Sequence, residues 1–448
     1  MERIKRGLLI IKQDWKQIMI FAILVGFCFP ITIETTLTNS GKLSIYVSYP
    51  LALILFFIVA YEMLFKSKQI KNSREKKIAA IFVGVLIIWS ITITIQRYIM
   101  GMMFYKAFEV FFISIVPLCI YAIVYDKDEL KKTVKYANYA VTAIILVVLL
   151  ACISKQTLIT RVLVNRNMVI YVYLIGFLFA GLLPWVDDFT GKAKWSSLFN
   201  MVFLTVYCLA SGSRMGAYIC LLTVLVVIIS SKSENRTRYL ICLGVAGLML
   251  VTMFCTNLWG TRYYVGREFK INTIISSIRL ARDVNEKNGE AVEDSINELV
   301  NTEEAIGDKE YSQEEKAVRN DAYRFTLWIK GIERIKEAPL FGTGELGVFV
   351  ADNSNQAPHN FIIEYSIIYG LGGLLIWIIF VIMLFFPIFI KAKIKDKALV
   401  LFSMFVVMGM AFFQPFLVSG IGPFIAWLAI YCIFAKVKFD NEEREING

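Results

Sequence analysis

Histidine is almost missing from this chain, which places a single one, His359, among 448 residues. Any chemistry that needs an imidazole to take a proton near neutral pH must therefore happen at that position. Charge is scarce too. Asp, Glu, Lys and Arg make up 19% of the sequence against roughly a quarter in soluble domains, and hydrophobic residues reach 57% with a mean hydropathy of +0.62. Those proportions exclude an ordinary soluble domain and point to a polytopic membrane protein. No two cysteines stand in a CxxC pair, and all eight (Cys28, Cys119, Cys152, Cys208, Cys220, Cys242, Cys255 and Cys432) fall within or at the edges of apolar runs. Neither a disulfide framework nor a zinc site is supported. A Walker A loop, a Rossmann glycine turn and an EF-hand register are all lacking, so nucleotide and calcium sites have no motif to rest on. The net charge of +11 is scattered in short clusters between apolar runs, which argues for a lipid bilayer and against nucleic acid as the partner.

What is there is a series of apolar runs. A span needs about 20 such residues, and twelve stretches qualify: 17–36, 44–65, 78–99, 103–125, 134–153, 168–186, 195–210, 213–231, 238–258, 360–390, 397–416 and 418–435. Met1 to Lys16 is basic but has no small-residue cleavage site after it, so the first run reads as a retained span. With the N-terminus inside, cytoplasmic segments hold 27 Lys and Arg, whereas the short external loops and span mouths hold 7. This bias predicts both termini in the cytoplasm and one long loop outside. The expected fold is therefore an all-α membrane protein of about 12 transmembrane helices. Spans 1–9 occupy residues 1–258, a mostly helical external loop 259–358, and spans 10–12 residues 359–448.

The external loop is where the chain turns acidic. Between Asp283 and Glu315 stand 12 acidic residues against Lys287 and Lys309, with Val292, Ile296, Leu299 and Val300 at helical spacing. This predicts an amphipathic helical region with a solvated acidic face. Further on, Asn320 or Asp321 is placed to cap a helix that runs to Glu337 and stops at Ala338-Pro339. Phe325, Trp328, Ile332 and Ile335 recur along it, and Arg324 lies one turn before Trp328 on the same side. The glycines of Leu340-Phe341-Gly342-Thr343-Gly344-Glu345-Leu346-Gly347 suggest a tight turn where backbone can come close to a ligand. Ala357-Pro358-His359-Asn360 then stands at the lip of the tenth span.

A second feature interrupts the apolar pattern at Ser211-Gly212-Ser213-Arg214, between two short spans. Glycine between serines breaks the helix, and an arginine near the membrane is costly unless paired, hydrated or functional. By the charge bias, Arg214, Arg324 and His359 share the external side. They form a plausible set for transferring a sugar from a lipid diphosphate: guanidinium groups stabilise the leaving diphosphate, and neutral histidine takes the proton of an acceptor hydroxyl. The energy is stored in the donor, so no metal or other cofactor is expected.

These motifs resemble the O-antigen ligase and Wzy-type O-antigen polymerase superfamily. Ser211 to Arg214 with Met215-Gly216-Ala217 is similar to its Ser-Arg-Gly-Ala signature. Arg324 with Trp328, then Pro339 to Gly344, then His359-Asn360 followed by Gly370-Leu371-Gly372-Gly373, resemble its later block in the same order. The resemblance covers roughly residues 200 to 375. It implies a bacterial cytoplasmic (inner) membrane glycosyltransferase, metal-independent and inverting, with undecaprenyl-diphosphate-linked oligosaccharides as donor and acceptor. It further implies His359 as base, Arg214 and Arg324 on the diphosphate, and a flippase and a chain-length regulator as partners. Met215 stands where the family usually has glycine, and Ile368 where an acidic residue is common, which makes Glu364 the substitute carboxylate. Supporting or substrate-binding candidates are Asn360, Ser213, Arg319, Trp328, and Arg161 and Arg166 of the loop 154–167. Glu109, an intramembrane carboxylate, has Arg97 and Lys106 near it in sequence. Tyr98, Tyr105, Trp259 and Tyr263 read as an aromatic belt. A repeat-unit polymerase leads; a ligase delivering finished glycan to lipid A core or protein shares the chemistry. A transporter of lipid-linked glycan suits the span count but lacks repeated halves.

Overall fold

The computed structural model describes residues 13–26, 30–34, 42–46, isolated helical positions between 50 and 99, 127–158, 190–211, 228, 233–262, 265, 272–285, 313–344, 348–349, 355–356, 358–394 with isolated positions to 404, and 421–447. The described elements, in chain order, are α1 (Trp15–Gly26), β1 (Pro30–Glu34), β2 (Lys42–Tyr46), α2 (Lys127–Lys155), α3 (Lys192–Ala210) and α4 (Ser233–Thr256). A 3-10 turn (Leu258–Gly260) follows, and then α5 (Asn272–Asn285), α6 (Gln313–Glu337), β3 (Val348–Phe349), β4 (Asn355–Gln356), α7 (Phe361–Lys391) and α8 (Ile421–Asn447). Among the described residues, three stretches are long and apolar enough to cross a membrane: Lys127–Lys155, Asn235–Thr256 and Phe361–Ile379. The expected spans 103–125 and 168–186 lie outside the described residues, and 213–231 and 397–416 lie mostly outside them.

Helix α2 is the hub of the bundle. Asp128 and Glu129 in its first turn and Lys155 in its last complement the helix dipole, and no proline or glycine interrupts it. Val134, Ala137, Val141, Ile144, Ile145 and Val148 are buried at the three-and-four spacing of one helical face. It packs against α1, α3 and α8. Between α2 and α3 a polar ladder replaces part of the apolar seam. The amide of Asn200 donates to Asn138 Oδ1 (2.7 Å), Asn138 donates to Ser196 Oγ (3.1 Å), and Thr142 donates to Asn200 Oδ1 (2.8 Å). In a lipid-facing bundle such side chains fix which helices associate. At one end of the bundle, ion pairs tie the start of α2 to the residue before α1 and to the end of α8, and the end of α8 to the segment after α7. Lys132 meets Asp14 at 2.7 Å, Lys127 meets Glu443 at 2.7 Å, and Arg444 meets Asp396 at 3.0 Å. The Lys127 ammonium holds the Glu443 carboxyl below its ordinary pKa.

Several expectations need correction. The first span, expected over 17–36, ends as a helix at Gly26, and Pro30–Glu34 instead pairs antiparallel with Lys42–Tyr46. Pro30 cannot supply a helical N–H, and the β-branched run Ile31-Thr32-Ile33 favours the extended state. With the two-residue pair β3–β4, this makes two short hairpins among described residues that are otherwise helical. Helix α6 begins at Gln313, several residues before the expected cap, so Asn320 and Asp321 lie inside it. Gln313-Glu314-Glu315-Lys316-Ala317 are strong helix formers with acidic residues at the dipole's positive end, and they outweigh the cap signal. Helix α8 runs past 435 to Asn447, helped by Lys436–Asp440 (2.8 Å) and Lys438–Glu442 (3.8 Å) pairs one turn apart. Most of Asp283–Glu315, including Val292, Ile296, Leu299 and Val300, lies outside the described residues.

Candidate functional site

His359 sits on a bend between Pro358 and the start of α7, with φ of +56°, a left-handed conformation that side-chain-bearing residues rarely adopt. Its neighbours hold it there. Asn360 is buried and caps α7: its Oδ1 accepts from the backbone N–H groups of Ile362 (3.0 Å) and Ile363 (3.2 Å), while its carbonyl accepts from Glu364 N–H (2.8 Å). Asn360 thus has a complete structural role as a helix cap. On the other side, α6 comes so close at Gly331 that an added Cβ would stand 2.5 Å from the Ile363 side chain and 3.7 Å from Pro358. Arg324 lies seven residues before Gly331, which is nearly two whole helical turns, so both fall on one face of α6. Arg324 pairs loosely with Asp321 (3.9 Å) and its side chain is half exposed.

The electrostatic result is a neutral imidazole. Burial disfavours the charged form and the Arg324 guanidinium opposes a second positive charge, so the His359 pKa falls from 6.5 to about 3. At neutral pH His359 is therefore a neutral imidazole beside a permanent cation. Glu364 lies in the first turn of α7 with its side chain buried, one turn beyond Asn360. Ser366 is also buried, and its hydroxyl has no hydrogen-bond partner among the described residues. Trp328 packs against an apolar cluster of Ala281, Val284, Ala322, Leu327, Ile363 and Ile367 and meets the Phe325 ring edge-on at 5.4 Å, which makes it part of the wall holding α6 to α7. Arg319, five residues before Arg324, projects from α6 about 140° away from it. Arg214, Ser213, Arg161, Arg166 and Glu109 lie outside the described residues. Helix α3 does end at Ala210, with Ser211 as its C-cap donating N–H to Tyr207 (2.9 Å). Among the described residues no group of three or more His, Cys, Asp or Glu is placed to hold a metal ion.

The glycine-rich turn does something other than the sequence suggests. Helix α7 is broken at Gly370 (φ +71°, ψ 176°), so the carbonyls of Ile367 and Ile368 lose the N–H groups of Leu371 and Gly372 four residues on. The turn 339–344 inserts into the gap and satisfies all four groups. Thr343 N–H donates to Ile367 O (2.7 Å) and Gly344 N–H to Ile368 O (3.2 Å). Leu371 N–H donates to Pro339 O (2.7 Å) and Gly372 N–H to Leu340 O (3.1 Å). The carbonyl of Tyr369 accepts from Trp89 Nε1 (3.2 Å), whose ring stacks on Phe341 at 5.2 Å. The close backbone approach at Gly342 and Gly344 is therefore to the broken helix, and the tenth span is two helices spliced by a loop. Sequence reading missed this splice and Trp89's part in it. The signal was present in Gly370, Gly372 and Gly373, three glycines inside an apolar run.

The splice and the Gly331 contact together hold the end of α6 to the first two turns of α7, and so hold Arg324 near His359. Residues 199–378, which include every element of this arrangement except Trp89, match the family model described as O-Antigen ligase. No curated protein matches the chain.

Proposed function

We propose, from the place of residues 199–378 in the O-antigen ligase and Wzy superfamily, that this membrane protein is a repeat-unit polymerase acting on lipid-diphosphate-linked glycans. The observation that carries the reading is the neutral histidine set beside an arginine at the start of a membrane-spanning helix. In the proposed reaction the bond between the donor sugar's anomeric carbon and its diphosphate oxygen breaks. A bond forms from that carbon to a hydroxyl oxygen of the acceptor's non-reducing sugar, attacking from the opposite face. His359 takes the hydroxyl proton, and the leaving lipid diphosphate keeps the electron pair and is stabilised by the guanidinium groups of Arg324 and Arg214. A base that is neutral at rest is ready to accept a proton. Burial is the larger cause of its weak basicity and Arg324 the smaller, and diphosphate on Arg324 offsets that smaller part. Glu364, buried in the first turn of α7, is the carboxylate this reading assigns to support the imidazolium as it forms. Asn360 and Trp328 serve by fixing the bend and the helix pairing.

The family description favours one second reading, ligation of finished glycan onto lipid A core or protein. The two differ only in acceptor. Loss of the gene separates them on a gel of cellular glycans. A polymerase leaves single repeats and no ladder, whereas a ligase leaves polymer still attached to its lipid carrier. An unchanged glycan profile would remove both readings.

A further inference from the structure

The described part of the 259–358 segment contains one helix whose two faces are both unusual for a solvated loop. On α5, Ser277, Ala281 and Val284 are buried, and Ala281 and Val284 belong to the apolar cluster that also contains Ile363 and Ile367 of α7. Ile363 and Ile367 are the third and seventh residues of a helix that is apolar enough to cross a membrane from Phe361 onward. At 1.5 Å per residue they lie within about 10 Å of its start. Helix α5 is thus packed at the depth of the first two turns of a span, which is the level of the lipid headgroups and the upper acyl chains.

Its opposite face must meet whatever surrounds the protein at that depth. Ile275 and Ile278 are 53% and 50% exposed, and with the exposed Arg279 and Arg282 they fall within an arc of about 100° around the helix. Exposed Ser276 and Asp283 flank that arc. Two half-exposed isoleucines interleaved with two arginines are the pattern of an interfacial helix, in which apolar side chains enter the acyl boundary and guanidinium groups reach up to phosphates. A water-facing helix would gain nothing from the isoleucines. A fully lipid-embedded one would not carry the arginines.

We propose that α5 is an interfacial helix that rests among the headgroups of the leaflet where α7 begins, with Ile275 and Ile278 in the acyl boundary and Arg279 and Arg282 on anionic phospholipid. This surface is separate from the His359 site and does not depend on the reaction proposed for it. The test uses the full chain in lipid nanodiscs, with a photoreactive benzophenone amino acid replacing Ile278 in one sample and Ile275 in another. The same replacement at Ser276, on the flank, serves as the comparison, and Leu248, exposed on the span α4, as the lipid-facing standard. After irradiation the peptides are analysed for phospholipid adducts. The expected result is adduct formation at 278 and 275 at the level of 248 and several-fold above 276. The yield should rise when phosphatidylglycerol replaces part of the phosphatidylcholine, and Arg279→Glu with Arg282→Glu should abolish that rise. The proposal is overturned if 248 forms phospholipid adducts while 278 and 275 do not exceed 276, or if both cross-link to protein instead. A yield indifferent to phosphatidylglycerol overturns the assignment of the arginines.

Discussion

Replacing Gly342 by alanine probes the splice that holds the candidate site together. Gly342 has φ of +74°, and a Cβ there would stand 2.5 Å from Gly370 N, 2.6 Å from Ile368 O and 2.7 Å from Ile367 O. All three are backbone atoms, so no side chain can swing aside. The left-handed conformation alone costs an alanine about 1–2 kcal/mol. Relief of the clash requires the turn 339–344 to back out of the gap in α7, which strands backbone groups in a largely apolar setting at about 1–3 kcal/mol each. Loss of even one reciprocal pair brings the total above about 3 kcal/mol. Gly247→Ala is the control, because that glycine lies within α4 with nothing within 4 Å of the new Cβ. It should be neutral or stabilising by up to about 1 kcal/mol. Unfolding of the purified proteins in mixed micelles, followed by helical circular dichroism against rising SDS, reads both. The reasoning fails if Gly342→Ala unfolds with Gly247→Ala and the wild type.

Other expectations follow from the same geometry. Because the chain has one histidine, isotope-labelled imidazole gives one set of NMR signals; Arg324→Gln should raise the His359 pKa from about 3 while leaving it below 6.5, since burial is the larger cause. A pKa unmoved by that change would separate the two residues. The unfolded chain binds a proton near pH 6.5 that the folded chain refuses until about pH 3, so His359 lowers stability as pH falls through that window and has no such effect above it. Acid unfolding of His359→Gln should be correspondingly shallower between those limits, and a curve parallel to the wild type would contradict the assignment. Asn360→Ala should cost about 0.5–2 kcal/mol through the lost cap, with Asn360→Asp or Ser restoring most of it. Failure of both to rescue stability would mean that the amide has work beyond capping. Trp89→Phe keeps an aromatic ring on Phe341 but removes the donor to Tyr369 O, for a loss of about 1–3 kcal/mol in the same SDS titration.

Much of the helical framework was legible because long apolar runs have a direct physical meaning. The helices α2, α4 and α7 fall on the stretches expected over 134–153, 238–258 and 360–390 to within two residues at the ends of α4 and α7 that face the external loop, and the stop at Ala338-Pro339 came from proline's missing N–H. Boundaries failed where local signals competed. Asn320 looked like a cap, but five good helix formers upstream extended α6 past it, and Pro30 with a β-branched run converted the end of an apolar stretch into a hairpin. The His359 and Arg324 pairing was foreshadowed by their positions in the chain, yet two features that create it were not. Gly331 matters only because another helix crosses there, and Gly342 because a break 28 residues later needs its backbone. Such contacts between distant segments leave no periodicity to read in a single sequence. Trp89 is the extreme case, since its indole serves a carbonyl 280 residues away.

The central claim is that His359 takes the acceptor proton in a sugar transfer driven by a lipid diphosphate. The most direct measurement uses purified protein in nanodiscs with a lipid-diphosphate oligosaccharide, in a chelator and without added nucleotide, with product length followed on a gel. The account predicts a lengthening ladder from the wild type and at least about a 100-fold slower one from a folded His359→Ala variant. A ladder from His359→Ala at the wild-type rate would contradict it.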